Sequence, residues 1–356
     1  MTAIPDLDLK GLVETVQHNA DVADARFAGR YTLCTYLMKM RDYYRWCRGL
    51  GPCSPVGRRD LGEWISGMES HWNDLEAARA NFRGLPLPGG EVDCFDNETV
   101  NAVLNPAGHV YAGVHGYGGV PLFFFADLLQ RDTAGNPEAD PDGKPELDLL
   151  VSGRERARSL TAPPAMSAPG LIFVRREALS RYLGSMVEEW GWRREDNAMG
   201  KVVAHYGFEG DPEGALERLV DTEMENVILH EIGERVAGAL IGEGWQSLLS
   251  RVEDPLTELK IRAVRDNLAD CLAALPACMT LENWPSLDFY YANMTPLRRD
   301  LFPSFCEAYR GARGSGNYRS LAPLIARARK HWLTVSRELP ACAPDNLKSY
   351  LDACAF

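Results

Sequence analysis

Apolar side chains recur every three or four positions over the first stretch of the chain, and that period marks amphipathic helices. Residues 7–17 form a short one. Residues 26–50 form a long one, with Leu33, Leu37 and Met40 near helical spacing and Gly49, Gly51 and Pro52 ending it. Residues 59–82 give a third, through Trp64, Met68, Trp72 and Leu75. The pattern changes at Gly84. Up to Val174 glycine, proline and β-formers dominate, and the runs 99–104, 109–114, 120–125, 147–151 and 171–174 read as strands. Turn signals at 105–108 and 116–119 separate the first three. The segment 132–145 is a polar loop, and the proline-rich 161–169 is an ordered crossing or a linker. Helical periodicity returns over 176–191, 212–241, 243–252, 255–275, 296–310 and 319–338. The expected fold class is α+β, mainly α, with helical N- and C-terminal parts flanking a small antiparallel β segment. Two domains are expected, 1–170 with helices over 7–82 and the β-rich 84–174 at its end, and the helical 175–356.

Length agrees, because 356 residues exceed one typical core. A formal charge of −12 repels phosphate backbones, so nucleic acid is not an expected partner. The basic clusters, Arg154, Arg156 and Arg158 and the 310–319 stretch, read as solvated loops or helix faces. The N-terminus has no basic and apolar signal segment, and no apolar run nears the length that spans a bilayer. The nine cysteines are odd in number and contain no Cys-x-x-Cys. Reduced thiols and a cytoplasmic protein without a membrane partner are the expectation.

The helix over 212–241 carries the candidate chemistry. Asp211 is placed to cap it, and Pro212 fits its first turn. With 100° between successive residues, Leu216, Val220, Val227 and Ile241 share one stripe, and Glu223, His230, Glu231 and Glu234 fall inside it. Ile228, Leu229, Ile232, Val236 and Leu240 make the second half apolar nearly all round, which predicts burial on several sides. Buried carboxylates are paired, protonated or bound to a cation. His230 and Glu234, four apart, project side by side as two ligands of one ion would, and Glu231 is placed to act as a base on water.

His230-Glu231-x-x-Glu234 resembles the zincin metalloprotease signature His-Glu-x-x-His, with Glu234 where that signature has its second histidine. In the Glu-zincin branch a later helix adds a carboxylate ligand and, four residues on, an aspartate that orients the first histidine. The run Asp266-Asn-Leu-Ala-Asp270 offers both. The resemblance implies His230, Glu234 and Asp266 as ligands, Glu231 as base and Asp270 orienting His230. A divalent ion is implied, and so oxygen-rich a set suits manganese or iron at least as well as zinc.

Two rival readings use the same helix. Glu223 and His230, two turns apart on one face, have a spacing similar to that of haem-oxygenase-like di-iron oxidases, with Asp266, Asp270 and His331 as further ligands. A non-enzymatic protein would instead pair Glu231 and Glu234 with Arg262 or Arg265 to fix helix packing.

Elsewhere, His109 and His115 lie six apart on one side of a strand among glycines, able to line a substrate cleft or add ligands, although glycines of a tight hairpin explain the run more simply. His18, Asp21 and Asp24 suggest a ligand cluster, but Asp21 or Asp24 capping the long helix is the simpler reading. Tyr43, Tyr44 and Trp46 are read as packing. The glycine-rich 311–316 is a connection and lacks the flanks of a phosphate loop. No Gly-x-Ser-x-Gly elbow occurs, and no cysteine has a base at a recognisable spacing. The substrate class, small molecule or peptide, and the oligomeric state are not legible.

The whole chain also resembles an uncharacterised bacterial family whose two halves carry domain-of-unknown-function labels. The resemblance rests on Tyr31-Thr-Leu-Cys-Thr-Tyr-Leu-Met-Lys-Met-Arg41, Thr161-Ala-Pro-Pro-Ala-Met166, His230-Glu-Ile-Gly-Glu234 and Leu281-Glu-Asn-Trp-Pro-Ser-Leu-Asp-Phe-Tyr290. It implies a bacterial cytoplasmic protein divided near residue 170, and no activity.

Overall fold

The computed structural model describes residues 7–134 and 147–356, so most of the polar loop expected over 132–145 lies outside the described residues. Contacts divide the chain into two compact units, Met1–Glu189 and Trp190–Phe356. The fold is α+β and mainly α.

The first unit runs α1 (Leu9–Phe27), α2 (Leu33–Cys47), α3 (Arg58–Ala77), β1 (Leu85–Leu87), β2 (Gly90–Val92), α4 (Asn97–Leu104), β3 (His109–His115), β4 (Pro121–Ala134), β5 (Leu147–Arg158), β6 (Ala165–Ala168), β7 (Leu171–Arg175) and α5 (Arg176–Gly191), whose last turn passes the division. The strands β1 and β2 pair antiparallel, and the others form one sheet in the order β3-β4-β5-β7-β6. That sheet is mixed, because β5 and β7 run parallel.

Several elements differ from the sequence reading. Leu12, Val16, Ala20 and Ala23 are buried, so one apolar stripe carries α1 on to Phe27, and the second helix begins at Leu33. Asp21 and Asp24 therefore cap nothing and lie buried inside α1, where Asp24 accepts from the Leu160 backbone N–H at 2.7 Å. Residues 99–104, expected as a strand, belong to α4. The Asp96 carboxylate caps it by accepting from the Thr99 N–H at 3.0 Å. Asn97, Val100, Asn101 and Leu104 are its buried positions, which is a helical and not an alternating period. Two of them serve the sheet. Asn97 exchanges hydrogen bonds with the Gly113 backbone at 2.8 and 2.9 Å, and Asn101 does so with Tyr111 at 2.8 and 2.9 Å. Side-chain amides thus complete the open edge of β3. Part of the expected crossing over 161–169 is the strand β6, paired to β7.

Arg158, expected on a solvated face, is 1% exposed and holds the centre of a charge network. Its guanidinium donates to Asp42 at 2.9 Å and lies 5.0 Å from the Trp46 ring centroid. Arg175 donates to Glu155 at 2.7 Å, and Arg181 reaches Glu177 at 3.2 Å and Asp42 at 3.6 Å.

The second unit runs α6 (Ala198–Tyr206), α7 (Pro212–Ile241), α8 (Gly244–Arg251), α9 (Pro255–Leu272), α10 (Ala274–Thr280), α11 (Trp284–Asn293), α12 (Pro296–Leu301), α13 (Pro303–Ser315), α14 (Ala322–Glu338) and α15 (Pro344–Ala353). Its core gathers around Phe302, Phe305, Tyr309 and the fully buried Trp332, with Phe302 edge-on to Trp332 at 5.6 Å.

Candidate metal centre

α7 begins as its sequence predicts, with the Asp211 carboxylate accepting from the Gly214 N–H at 2.9 Å and Pro212 in the first turn. Leu216, Val220 and Glu223 are buried along the expected stripe. The second half is not buried on several sides, because Ile232 and Val236 are 37% and 43% exposed. Only its narrow face, Gly233 and Ala237, is buried. The reason is a close crossing with α9. A Cβ at Gly233 would lie 2.3 Å from the Ala269 carbonyl oxygen, so only glycine admits α9 at this distance. The two helices run antiparallel here, and the crossing sets His230 against Asp270 and Glu234 against Asp266.

His230 Nδ1 faces Asp270 Oδ1 at 2.6 Å. That hydrogen bond directs Nε2 the other way, where Glu234 Oε1 stands at 3.6 Å. His230, Glu234 and Asp266 each offer a ligating atom, and these atoms lie within 4.8 Å of one another. Arg265 donates to Glu234 Oε2 at 2.8 Å, and Arg298 donates to Asp270 Oδ2. Arg262 donates to Glu258 on its own helix at 2.7 Å.

The charges in this group pull its protons apart. Burial works against the imidazolium of His230, but the Asp270 charge and hydrogen bond hold its pKa well above the ordinary value. Burial opposes ionisation of Asp270 too, yet Arg298 and then His230 hold its carboxyl well below the usual range. Glu234 is held down against burial by its His230 hydrogen bond and by Arg265. Asp266 goes the other way, because burial raises it and the charge of Glu234 adds to that against the pull of Arg298. Burial and the Glu234 charge push Glu231 up to about 7.

The remaining expected residues lie apart from this group. Glu223 sits seven residues earlier, about 10 Å along the helix axis. Its carboxyl accepts from Ser286 Oγ at 2.7 Å and Asn226 at 3.3 Å, and burial pushes it up to about 7. His331 Nε2 donates to the Cys354 carbonyl at 2.7 Å. His109 and His115 mark the two ends of β3 in the first unit, six residues or about 20 Å apart, too far to share an ion. His109 faces Asp127 at 3.5 Å, and His115 stacks on Phe95 at 4.4 Å. The glycine between them that matters is Gly113, where a Cβ would lie 2.0 Å from the Cys94 carbonyl oxygen.

Sequence reasoning missed Gly233 and Arg298. A glycine inside an apolar helical run was a signal for the first, since it costs helix stability without a packing reason. Arg298 had no local signal, because its partners lie 8, 28 and 31 residues away.

The N-terminal domain of a family of unknown function, DUF6866, matches residues 11–175, and the C-terminal domain of that family matches residues 180–353. No curated protein and no solved structure matches the chain.

Proposed function

The chain belongs to the two-domain family of unknown function DUF6866, and within it we propose that this protein is a metal-dependent enzyme, in the first place a hydrolase, centred on α7 and α9. One observation carries the reading: His230, Glu234 and Asp266 bring three ligating atoms within 4.8 Å of one another, with Asp270 bonded to the far nitrogen of the imidazole. The donors fit a divalent first-row ion. One nitrogen and two carboxylate oxygens leave coordination positions open, as catalytic sites require. The set suits manganese or iron at least as well as zinc.

Such an ion supplies Lewis acidity and lowers the pKa of water. The chain's own residues do the rest. Glu231, titrating near neutrality, is matched to take a proton from water. Asp270 holds the proton on Nδ1 and so leaves the Nε2 lone pair for the ion. Among the described residues no helix is long and apolar enough to cross a membrane. All nine cysteines are free. A bacterial cytoplasmic setting and a phosphate-repelling surface of charge −12 complete the proposal.

Elemental analysis with titration of Mn²⁺, Fe²⁺ and Zn²⁺ tests it. Wild-type protein takes up one ion per chain, and His230→Ala or Asp266→Asn weakens uptake beyond the roughly 10–100-fold that outer partners cost. Wild-type protein that takes up none of the three removes the reading.

A second reading has its own observation, the arginines already seated on Glu234 and Asp270. In it the cluster is a buried charge network that fixes helix packing. Glu234→Gln would then shift stability and leave ion uptake flat. A helical di-iron or manganese oxidase is the alternative enzyme class. It needs Glu223 beside His230, and an iron absorption band that responds to oxygen would mark it.

A further inference from the structure

The helix α11, which carries most of the run 281–290, reaches the back of the site through Arg298. From α11, Ser286 Oγ donates to Glu223 at 2.7 Å. Asp288 Oδ1 accepts from the hydroxyls of Tyr309 and Tyr318 at 2.6 and 2.7 Å. The Tyr290 hydroxyl accepts from Arg298 at 2.9 Å. Arg298 is the next link. Its Nε donates to Asn267 Oδ1 at 2.9 Å, its Nη2 donates to Asp270 Oδ2, and its guanidinium lies 5.4 Å from the Tyr290 ring centroid.

Asp270 is 2% exposed and has one carboxylate oxygen on His230 and the other on Arg298. A carboxylate held at one oxygen only turns about its last torsion, which is broad. Held at both by charge-assisted hydrogen bonds, it has one orientation. The imidazole bonded to it then has one orientation as well. Asn267 and Asp270 are three apart on α9, so both anchors of Arg298 rise from one helix face, and Tyr290 closes the third side from α11.

We propose that Arg298, seated by Tyr290 and Asn267, is the positioning residue of the cation site, acting through Asp270 to aim His230 Nε2 at Glu234 and Asp266. This rests on the proposed metal centre for its purpose, but not for its geometry. The polar side chains of α11 then have a use: Tyr290 orients the site from behind, while Ser286 holds the Glu223 carboxyl to α11.

Two readouts test the proposal together. In metal-free protein with labelled histidine, the His230 Nδ1–H gives a proton resonance protected from exchange by Asp270. In Arg298→Met that resonance broadens away, and the affinity for Mn²⁺ and Zn²⁺ falls by about 10–100-fold. Arg298→Lys, which keeps the charge and loses the fork, recovers part of both. A folded Arg298→Met whose resonance persists and whose affinities stay within twofold overturns the proposal. Should that variant not fold, Tyr290→Phe replaces it. It leaves Arg298 in place and loosens one of its anchors, so the resonance exchanges faster and the affinity falls severalfold, and no change in either overturns the proposal. Wild-type protein that binds neither ion, with the resonance still lost in Arg298→Met, refutes the metal centre and supports the hold of Arg298 on His230.

Discussion

Arg158 in the first unit is fully buried and His230 in the second is half-buried, and their surroundings neutralise them differently. Around Arg158, the guanidinium groups of Arg158, Arg175 and Arg181 meet the carboxylates of Asp42, Glu155 and Glu177 in equal number. Around His230, the carboxyl groups of Glu231, Glu234, Asp266 and Asp270 meet one imidazole and the two arginines Arg265 and Arg298. Acids are in excess there, and burial raises Glu231 and Asp266 above their ordinary values. Buried charge is therefore no mark of function by itself. An unbalanced set with convergent lone pairs is a stronger mark, since a cation would complete it.

The largest expected effect tests the balanced side. Arg158→Met takes the central cation from the buried Glu155 and the half-buried Asp42, leaving each with one arginine, Arg175 and Arg181, and costs up to about 3–5 kcal/mol. Chemical unfolding should show that loss while ion uptake by the second unit stays unchanged. A loss under about 1 kcal/mol would mean that water already screens the network.

Gly233→Ala comes next. A methyl group aimed at the Ala269 carbonyl forces α7 and α9 apart, at about 1–3 kcal/mol for overpacking. Because the same crossing brings Glu234 to Asp266, affinity for the ion should fall with stability. A variant of normal stability and normal affinity would show that the crossing distance is not what assembles the site.

The pH dependence of ion uptake separates the two units further. His230 and Asp266 hold protons above their ordinary pKa values in the ion-free protein, and ligands must be deprotonated. Binding therefore releases protons, and affinity rises with pH by up to about tenfold per unit for each proton, about 1.4 kcal/mol, until the pH passes both raised values. Titration calorimetry in buffers of different ionisation heat counts the protons. Affinity that is flat with pH would remove His230 and Asp266 from the ligand set.

The smallest effect on ion uptake belongs to Glu223. Its carboxyl is raised from 4.5 to about 7, so the folded state holds that proton more tightly and stability falls as pH rises through this window, levelling above it. Glu223→Gln should remove that slope, change stability by less than about 1 kcal/mol below the carboxyl's ordinary pKa of 4.5, where the wild-type group is protonated folded and unfolded, and leave ion uptake as it was. Lost uptake would place Glu223 in the site.

The sequence carried the second comparison partner better than the first. Helical spacing set His230 beside Glu234, and the likeness to the Glu-zincin signature pointed to Asp266 and Asp270, which the capped helices α7 and α9 then bring together. Three arginines at alternate positions suggest a solvated face at Arg158, but burial alternates through 154–157 and then continues at Arg158, where the sheet meets α1. Valine and threonine in the 99–104 run favour a strand, but Asp96 and the two asparagines are capping and helical-face signals, and the helix wins. The half-open state of α7 was not legible, since the pattern counts apolar residues and not the elements available to cover them.

Whether a cation sits among His230, Glu234 and Asp266 is visible in anomalous diffraction from crystals grown with Mn²⁺ or Zn²⁺. A metal centre gives one strong peak about 2.0–2.2 Å from His230 Nε2 and from an oxygen of each carboxylate. No peak at that position, with Arg265 still on Glu234, would contradict it.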